Sequence, residues 1–256
     1  MRQSVTLLLF VILFFGGASA QEKPDMVTDR PDQTESASLI SPKGLQIESG
    51  FAFEKTDADI NNTTFNTTLL RYGLVDNIEL RMGFSYQGIH SSEEEDSYTE
   101  RGFGPLSIGA KFHLLEDEGK PKLALLTTIS IPHSGSSTFE NENLGADIRV
   151  TGDYFLNEAM SLGMNLGVAW SGVEDEDYAV GVYTAVVGIS LSQKLGAFAE
   201  LYGFLPNEGK NDHRWDAGMT YSVNDDLQLD FSTGIGLSEV SPDFFLSLGL
   251  SIRMPL

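Results

Sequence analysis

The chain has 256 residues, 41% apolar and 21% charged, with no cysteine and a formal net charge of −21. That length suits either one closed sheet or two ordinary domains, and composition does not choose between them. The negative charge excludes nucleic acid as a partner, and the lack of cysteine excludes disulfides and a lipid-modified N-terminal cysteine, so packing and hydrogen bonding must hold the fold.

Residues 1–20, MRQSVTLLLFVILFFGGASA, join Arg2 to an apolar run from Val5 to Phe15 and a small-x-small site at Ala18-Ser19-Ala20. This is the order of a cleaved secretory signal peptide ending before Gln21. The run is short for a spanning helix, which needs about 20 residues, so a retained anchor is the lesser alternative. Cleavage removes Arg2 and takes the net charge from −21 to −22. Residues 21–43, QEKPDMVTDRPDQTESASLISPK, carry three prolines and little periodicity, which predicts an irregular arm, either periplasmic or inserted in a lumen.

From Gly44 to the end a two-residue rhythm takes over, in which alternate side chains face opposite sides of a strand. LQIESGFAFE sets Leu45, Ile47, Phe51 and Phe53 against Gln46, Glu48, Gly50 and Glu54. NTTLLRYGL, IELRMGFSYQG, LSIGAKFHL, KLALLTTISI, GADIRVTGDYF and MSLGMNLGVAW follow; four more candidates span 177–191, 195–204, 213–223 and 227–237, and FFLSLGLSIRM is the last. These make twelve predicted strands. Short joins at 74–77, 114–120, 156–159, 192–194 and 223–226 alternate with longer, often acidic ones at 55–63, 88–103, 132–144, 171–177, 204–212 and 238–242.

An even number of roughly ten-residue strands with alternating short and long joins predicts an all-β fold: a closed antiparallel transmembrane barrel over residues 44–256. Closure is forced, because lipid leaves an open sheet edge unsatisfied. The expected topology puts short turns and both termini in the periplasm of a Gram-negative bacterium and the longer loops outside. A soluble sandwich, its apolar faces packed on each other, is the competing reading. Tyr72, Phe112, Tyr154 and Tyr221 fall on outward faces near the turn end, and Tyr86 and Trp170 near the loop end, as candidates for two aromatic girdles. The inward set holds the candidate lumen and solute contacts Glu48, Arg71, Glu79, Arg81, Lys111, Arg149, Asp153, Arg214, Asp216, Asp230 and Arg253, together with Asp147. If the turn after the second strand centres on Val75, Arg71 stands opposite Glu79, a pair suited to knitting neighbouring strands. Twelve strands predict a narrow or partly obstructed passage.

At TDRPDQTESASLISPKGLQIESGF, from Thr28, the sequence resembles the outer-membrane family named for the MetA pathway of phenol degradation. Further similarities are Leu70-Arg71-Tyr72-Gly73-Leu74, Asn77-Ile78-Glu79-Leu80-Arg81, the run from Gly104 to Lys111, and Gln228-Leu229-Asp230. The resemblance implies an outer-membrane barrel and a channel for small organic, hydrophobic or aromatic compounds, with no catalytic set. Pro105 stands where the family often carries an acidic residue, so no role of that carboxylate is carried over.

The histidines His90, His113, His133 and His213 lack a base-nucleophile-orienter pattern. The acidic runs 93–96 and 174–177 lack calcium-loop spacing and read as a solvated rim. No cofactor, metal or enzyme activity is expected. The expected partners are outer-membrane lipids and lipopolysaccharide, the barrel-assembly machinery and a small organic solute. The sequence leaves two functions open: passive uptake or efflux through a channel, or a structural or surface-binding barrel with a filled lumen.

Overall fold

The computed structural model describes residues 25–56, 60–92, 97–116, 120–174 and 178–255. The expected signal peptide and the acidic positions 93–96 and 175–177 lie outside the described residues. The strands are β1 (Gly44–Lys55), β2 (Ile60–Val75), β3 (Ile78–Ser92), β4 (Ser97–Phe103), β5 (Ser107–Leu115), β6 (Lys122–Ser130), β7 (Gly145–Asn157), β8 (Met160–Trp170), β9 (Val180–Ser190), β10 (Leu195–Pro206), β11 (Asp212–Asn224), β12 (Leu227–Gly236) and β13 (Phe244–Pro255). All pairings between them are antiparallel. β1 pairs with β2 on one side and with β13 on the other, from Gly44 opposite Pro255 to Lys55 opposite Phe244, so the sheet closes.

Among the described residues thirteen strands make twelve staves, because β4 and β5 are two pieces of one. Both lie along β3, β4 setting Phe103 opposite Tyr86 and β5 setting Ser107 opposite Gly83. The break falls at Gly104-Pro105-Leu106, where Pro105 has no N–H to give a ladder. Below the break β5 goes on to pair with β6. Above it β4 meets the 131–144 connection instead: Ser136 N–H donates to the Phe103 carbonyl at 2.8 Å, and Phe103 N–H donates to Ser136 Oγ at 2.9 Å.

Three expected positions are corrected. Most of the expected loop 88–103 is strand, since β3 runs to Ser92 and pairs with β4, and β2 starts already at Ile60. These stretches lack an apolar stripe because beyond the bilayer neither face of a hairpin has to be apolar, while backbone pairing continues in water. The turn after β2 centres on Asp76-Asn77, not on Val75, and a bulge between Gly73 and Val75 puts Arg71 opposite Arg81. Arg71 reaches Glu79 on the diagonal instead.

Burial is inverted relative to a soluble protein. Among the described residues polar and charged side chains outnumber apolar ones in the interior, while Leu80, Met82, Phe84, Val150, Leu166, Met219, Leu229 and Leu248 are exposed on the outside. Among the described residues no second sheet covers that apolar flank. In a closed sheet this pattern answers to hydrocarbon outside and a polar lumen within. Among the described residues no helix is long and apolar enough to cross a membrane, so the crossing is by strands.

The inversion has a direct test. Leu166, mid-strand on β8 and 63% exposed, should tolerate arginine within about 0.5 kcal/mol if it faced water. Facing hydrocarbon, Leu166→Arg should destabilise the barrel by about 2–4 kcal/mol in denaturant titrations from phospholipid vesicles.

Candidate functional site

The lumen is occupied by residues 25–43. The arm enters at the turn end, where Arg253 donates to the Asp25 carbonyl at 3.3 Å, and returns to the same end at Gly44. Its exit is fixed by backbone: Lys43 N–H donates to the Gly73 carbonyl at 2.7 Å, and Pro42 forms a parallel bridge with Gly73. Gly73 allows this approach, since a Cβ there would lie 2.1 Å from the Ser41 carbonyl oxygen.

Between these ends the arm is held mainly by side chains that the ladder aims inward. Arg71 on β2, Arg81 on β3 and Lys111 on β5 converge on Asp29 at 3.1, 2.6 and 3.2 Å. Arg71 also pairs with Glu48 at 2.8 Å and Glu79 at 2.9 Å, and Arg81 with the arm's Glu35 at 2.9 Å. The Asp29 backbone N–H donates to Glu48, and Lys111 Nζ donates to the Ser36 carbonyl at 2.6 Å. Every side chain of this cluster but Glu35 is nearly inaccessible, so each charge is stabilised by partners in place of water.

Further round the wall, Arg30 reaches Asp230 at 3.0 Å and Ser247 Oγ at 2.9 Å. Its guanidinium lies in a notch made by the cross-strand pair Gly50 and Gly249, where a Cβ would come within 2.2 and 2.3 Å of it. Gln33 N–H donates to Glu200 at 2.7 Å. Glu35 and Asn165 exchange two hydrogen bonds, each 2.8 Å, between arm backbone and side-chain amide. Ser36 Oγ and Ala37 N–H both donate to Asp153, at 3.0 and 2.8 Å.

The inward residues singled out in the sequence thus fall into two groups. Glu48, Arg71, Glu79, Arg81, Lys111, Asp153 and Asp230 touch the arm directly, and Arg253 joins its Asp25 end while pairing with Asp226 at 3.0 Å. Arg149 turns to Asp147 at 2.6 Å, and Arg214 to Asp212 at 2.6 Å and Glu54 at 2.9 Å, away from the arm. Asp216 lies opposite Glu200, whose role the sequence hid: Phe198, Tyr202 and Phe204 share its face of β10 and make that face look like a lipid one. The partners Asp29, Arg30, Thr34 and Glu35 were equally hidden, because the arm has no period from which to read a direction.

Two cavities flank the arm toward the turn end. One, about 520 Å³, lies below it among Gln46, Asp76, His113, Glu116, Lys122 and Phe155. There Lys122 donates to Glu116 at 2.8 Å, a hydrogen bond that draws the Glu116 carboxyl below its usual range. The other, about 320 Å³, separates the arm from β7–β11. Above, buried Val182, Tyr202 and Phe245 stand beside the Arg214 ion pairs, and the Arg214 guanidinium sits 5.7 Å from the Phe204 ring centre. Of the aromatic candidates, Tyr72, Phe112, Tyr154 and Tyr221 pair near the turns, and Tyr86 and Trp170 toward the loops. Among the described residues no cluster of His, Asp or Glu has metal-holding geometry.

A closed twelve-stave wall, apolar outside and charged within, defines a transmembrane β-barrel of the outer-membrane type. The chain belongs to the family described as "Putative MetA-pathway of phenol degradation", whose pattern it matches over residues 28–254. Its fold is similar to an outer-membrane channel from Pseudomonas putida F1, with TM-score 0.70 at 14% identity, covering 85% of this chain and 98% of that one. It is also similar to the KdgM porin, TM-score 0.56 at 9% identity over 81% and 98% of the two chains. The translocator domain of the autotransporter NalP from Neisseria meningitidis matches with TM-score 0.51 at 12% identity over 82% and 87%. No curated protein matches the sequence.

Two substitutions test how the arm is held. Asp29→Ala leaves Arg71, Arg81 and Lys111 short of an anion and should destabilise the barrel by about 3–5 kcal/mol. It should also expose residues 25–43 to proteinase K, read by mass spectrometry of the fragments. Gly249→Ala should expel the Arg30 guanidinium while leaving the barrel closed, because the atoms it meets are the tip of a flexible side chain. Arg30→Ala added to Gly249→Ala should therefore cost no more than about 0.5 kcal/mol further in the same unfolding assay.

Proposed function

We propose that the protein is an outer-membrane channel for passive passage of small organic solutes, its lumen obstructed by its own N-terminal arm. The observation that carries this reading is the arm itself. It lies in a polar lumen, its Lys43 end joined to the Gly73 backbone and its Asp25 end to the Arg253 side chain, and between them it is held by ion pairs and hydrogen bonds to inward side chains, not by a sheet ladder. In the membrane the short turns and both termini face the periplasm, residues 1–20 having been cleaved as the signal peptide. Tyr72, Phe112, Tyr154 and Tyr221 then form the periplasmic girdle and Tyr86 and Trp170 the outer one, against lipid and lipopolysaccharide. Buried Val182, Tyr202 and Phe245 above the arm support hydrophobic or aromatic solutes as the class carried.

A second reading, a structural or surface-binding barrel, draws on the same arm, whose many bonds fill the lumen. Planar bilayers separate the two. A channel should show brief, repeatable conductance steps that become frequent and larger in Asp29→Ala, and liposomes carrying that variant should take up small aromatic compounds faster than empty ones. A variant with a freed arm that neither conducts nor speeds uptake leaves the structural reading.

A further inference from the structure

Where the arm crosses to β9 and β10, it rests on one carboxylate. Glu200 accepts from the Gln33 N–H at 2.7 Å and contacts the Thr34 hydroxyl, which also meets Thr184 Oγ1 at 2.6 Å. Directly across the β10–β11 ladder is Asp216, its carboxyl within hydrogen-bonding reach of that of Glu200. The two residues are 1% and 0% exposed, and no donor reaches either oxygen of Asp216.

The surroundings supply no counter-charge. From the arm comes a third acid, Asp32. On β10 the next inward side chain is Tyr202, and on β9 the neighbours Thr184 and Val186 are uncharged. β12 places Gly234 opposite Asp216 and Ser232 one step along, with a buried hydroxyl that also lacks a partner. The cations Arg214 and Arg30 are committed, to Asp212 and Glu54 in one case and to Asp230 in the other. Among the described residues no metal-holding cluster exists here. Two touching carboxylates, dry and without a cation, cannot both be ionised, because each raises the cost of the other's charge.

We propose that Glu200 and Asp216 share one proton, and that this proton latches the arm. Glu200 already accepts from the arm, so the proton resides on Asp216, whose O–H donates to Glu200. At alkaline pH the Asp216 O–H bond breaks, its electron pair stays on the carboxylate, and the proton passes to hydroxide in water. The 320 Å³ crevice, lined by Asp32 and Thr34, is the way out. Two facing negative charges then push Glu200 and the nearby Asp32 apart and release residues 32–34. The sign is fixed: the latch is closed while the proton is bound and opens as pH rises. The Asp29 cluster faces three cations, Arg71, Arg81 and Lys111, whereas this wall has none facing it, so release begins at the β9–β10 wall. Its bearing on solute flow rests on the channel reading above; the shared proton does not.

The test uses the full protein in lipid vesicles. Infrared spectra, recorded as wild type minus Asp216→Asn, should show a protonated carboxyl C=O band at neutral pH that is lost on alkalinisation. A spin label on Gln33→Cys, the sole cysteine in a chain that has none, should turn from immobile to mobile with loss of the band. In Asp216→Asn, whose amide still donates to Glu200 but has no such proton to lose, the label should stay immobile throughout. Glu200→Gln should likewise remove the band. No difference band at neutral pH, or a label whose mobility does not follow the band, overturns the latch. A band and label that behave as expected in a protein with no conductance at any pH support the latch and remove the channel reading instead.

Discussion

Asp29 is the carboxylate around which the lumen is organised, because Arg71, Arg81 and Lys111 cannot share a dry interior without it. The wall alone sets those three cations against Glu48 and Glu79, and the arm adds Asp29 and Glu35. Buried ion pairs of this kind add little net stability over apolar packing, since desolvation offsets most of the attraction, but a mismatch is costly. They therefore select one path for the arm. Asp29 also accepts from Ser36 N–H at 3.0 Å, which folds the arm back on itself.

The two sides of the barrel grip the arm differently. On β1, β2, β3 and β5 the grip is charge against charge, with backbone anchorage at Gly73. On β7 to β10 it is a series of hydrogen bonds to Asp153, Asn165, Thr184 and Glu200, with acids in excess. Opposite charge at short range resists both salt and displacement when buried, whereas single hydrogen bonds contribute about 0.5–1.5 kcal/mol each. The acid-rich wall is the one from which the arm is easier to lift, and the smaller cavity already opens along it.

The wall itself shows what a bilayer demands of a sheet and where the demand stops. Within the hydrocarbon every backbone group needs a partner, so pairing is continuous from β5 round to β3. Toward the loops the fourth stave breaks at Pro105, and β4 is bonded to a connecting segment instead of to β6. Such a break is tolerated where water or protein, not lipid, satisfies the freed groups.

How much of this was legible follows from what periodicity can encode. Each strand writes its two faces into alternate positions, so the barrel, its stave number and the inward direction of Arg71, Glu79, Arg81, Lys111 and Asp230 could be read along the chain. On β2, β3 and β5 the sequence alone determined which face meets hydrocarbon, because a one-residue slip would turn Arg71, Arg81 or Lys111 into lipid. It left the centre of the 74–77 turn open, so the Arg71–Glu79 register did not hold, and it hid Glu200, since a bulge adds a residue without changing composition and aromatic neighbours imitate a lipid face. Only the tertiary structure decided that Asp29, and not solvent, answers the three cations. Neighbouring strands bring the three cations together, but their distances to Asp29 depend on where the arm threads back into the lumen, up to 82 positions away in the chain, and no local pattern carries that information.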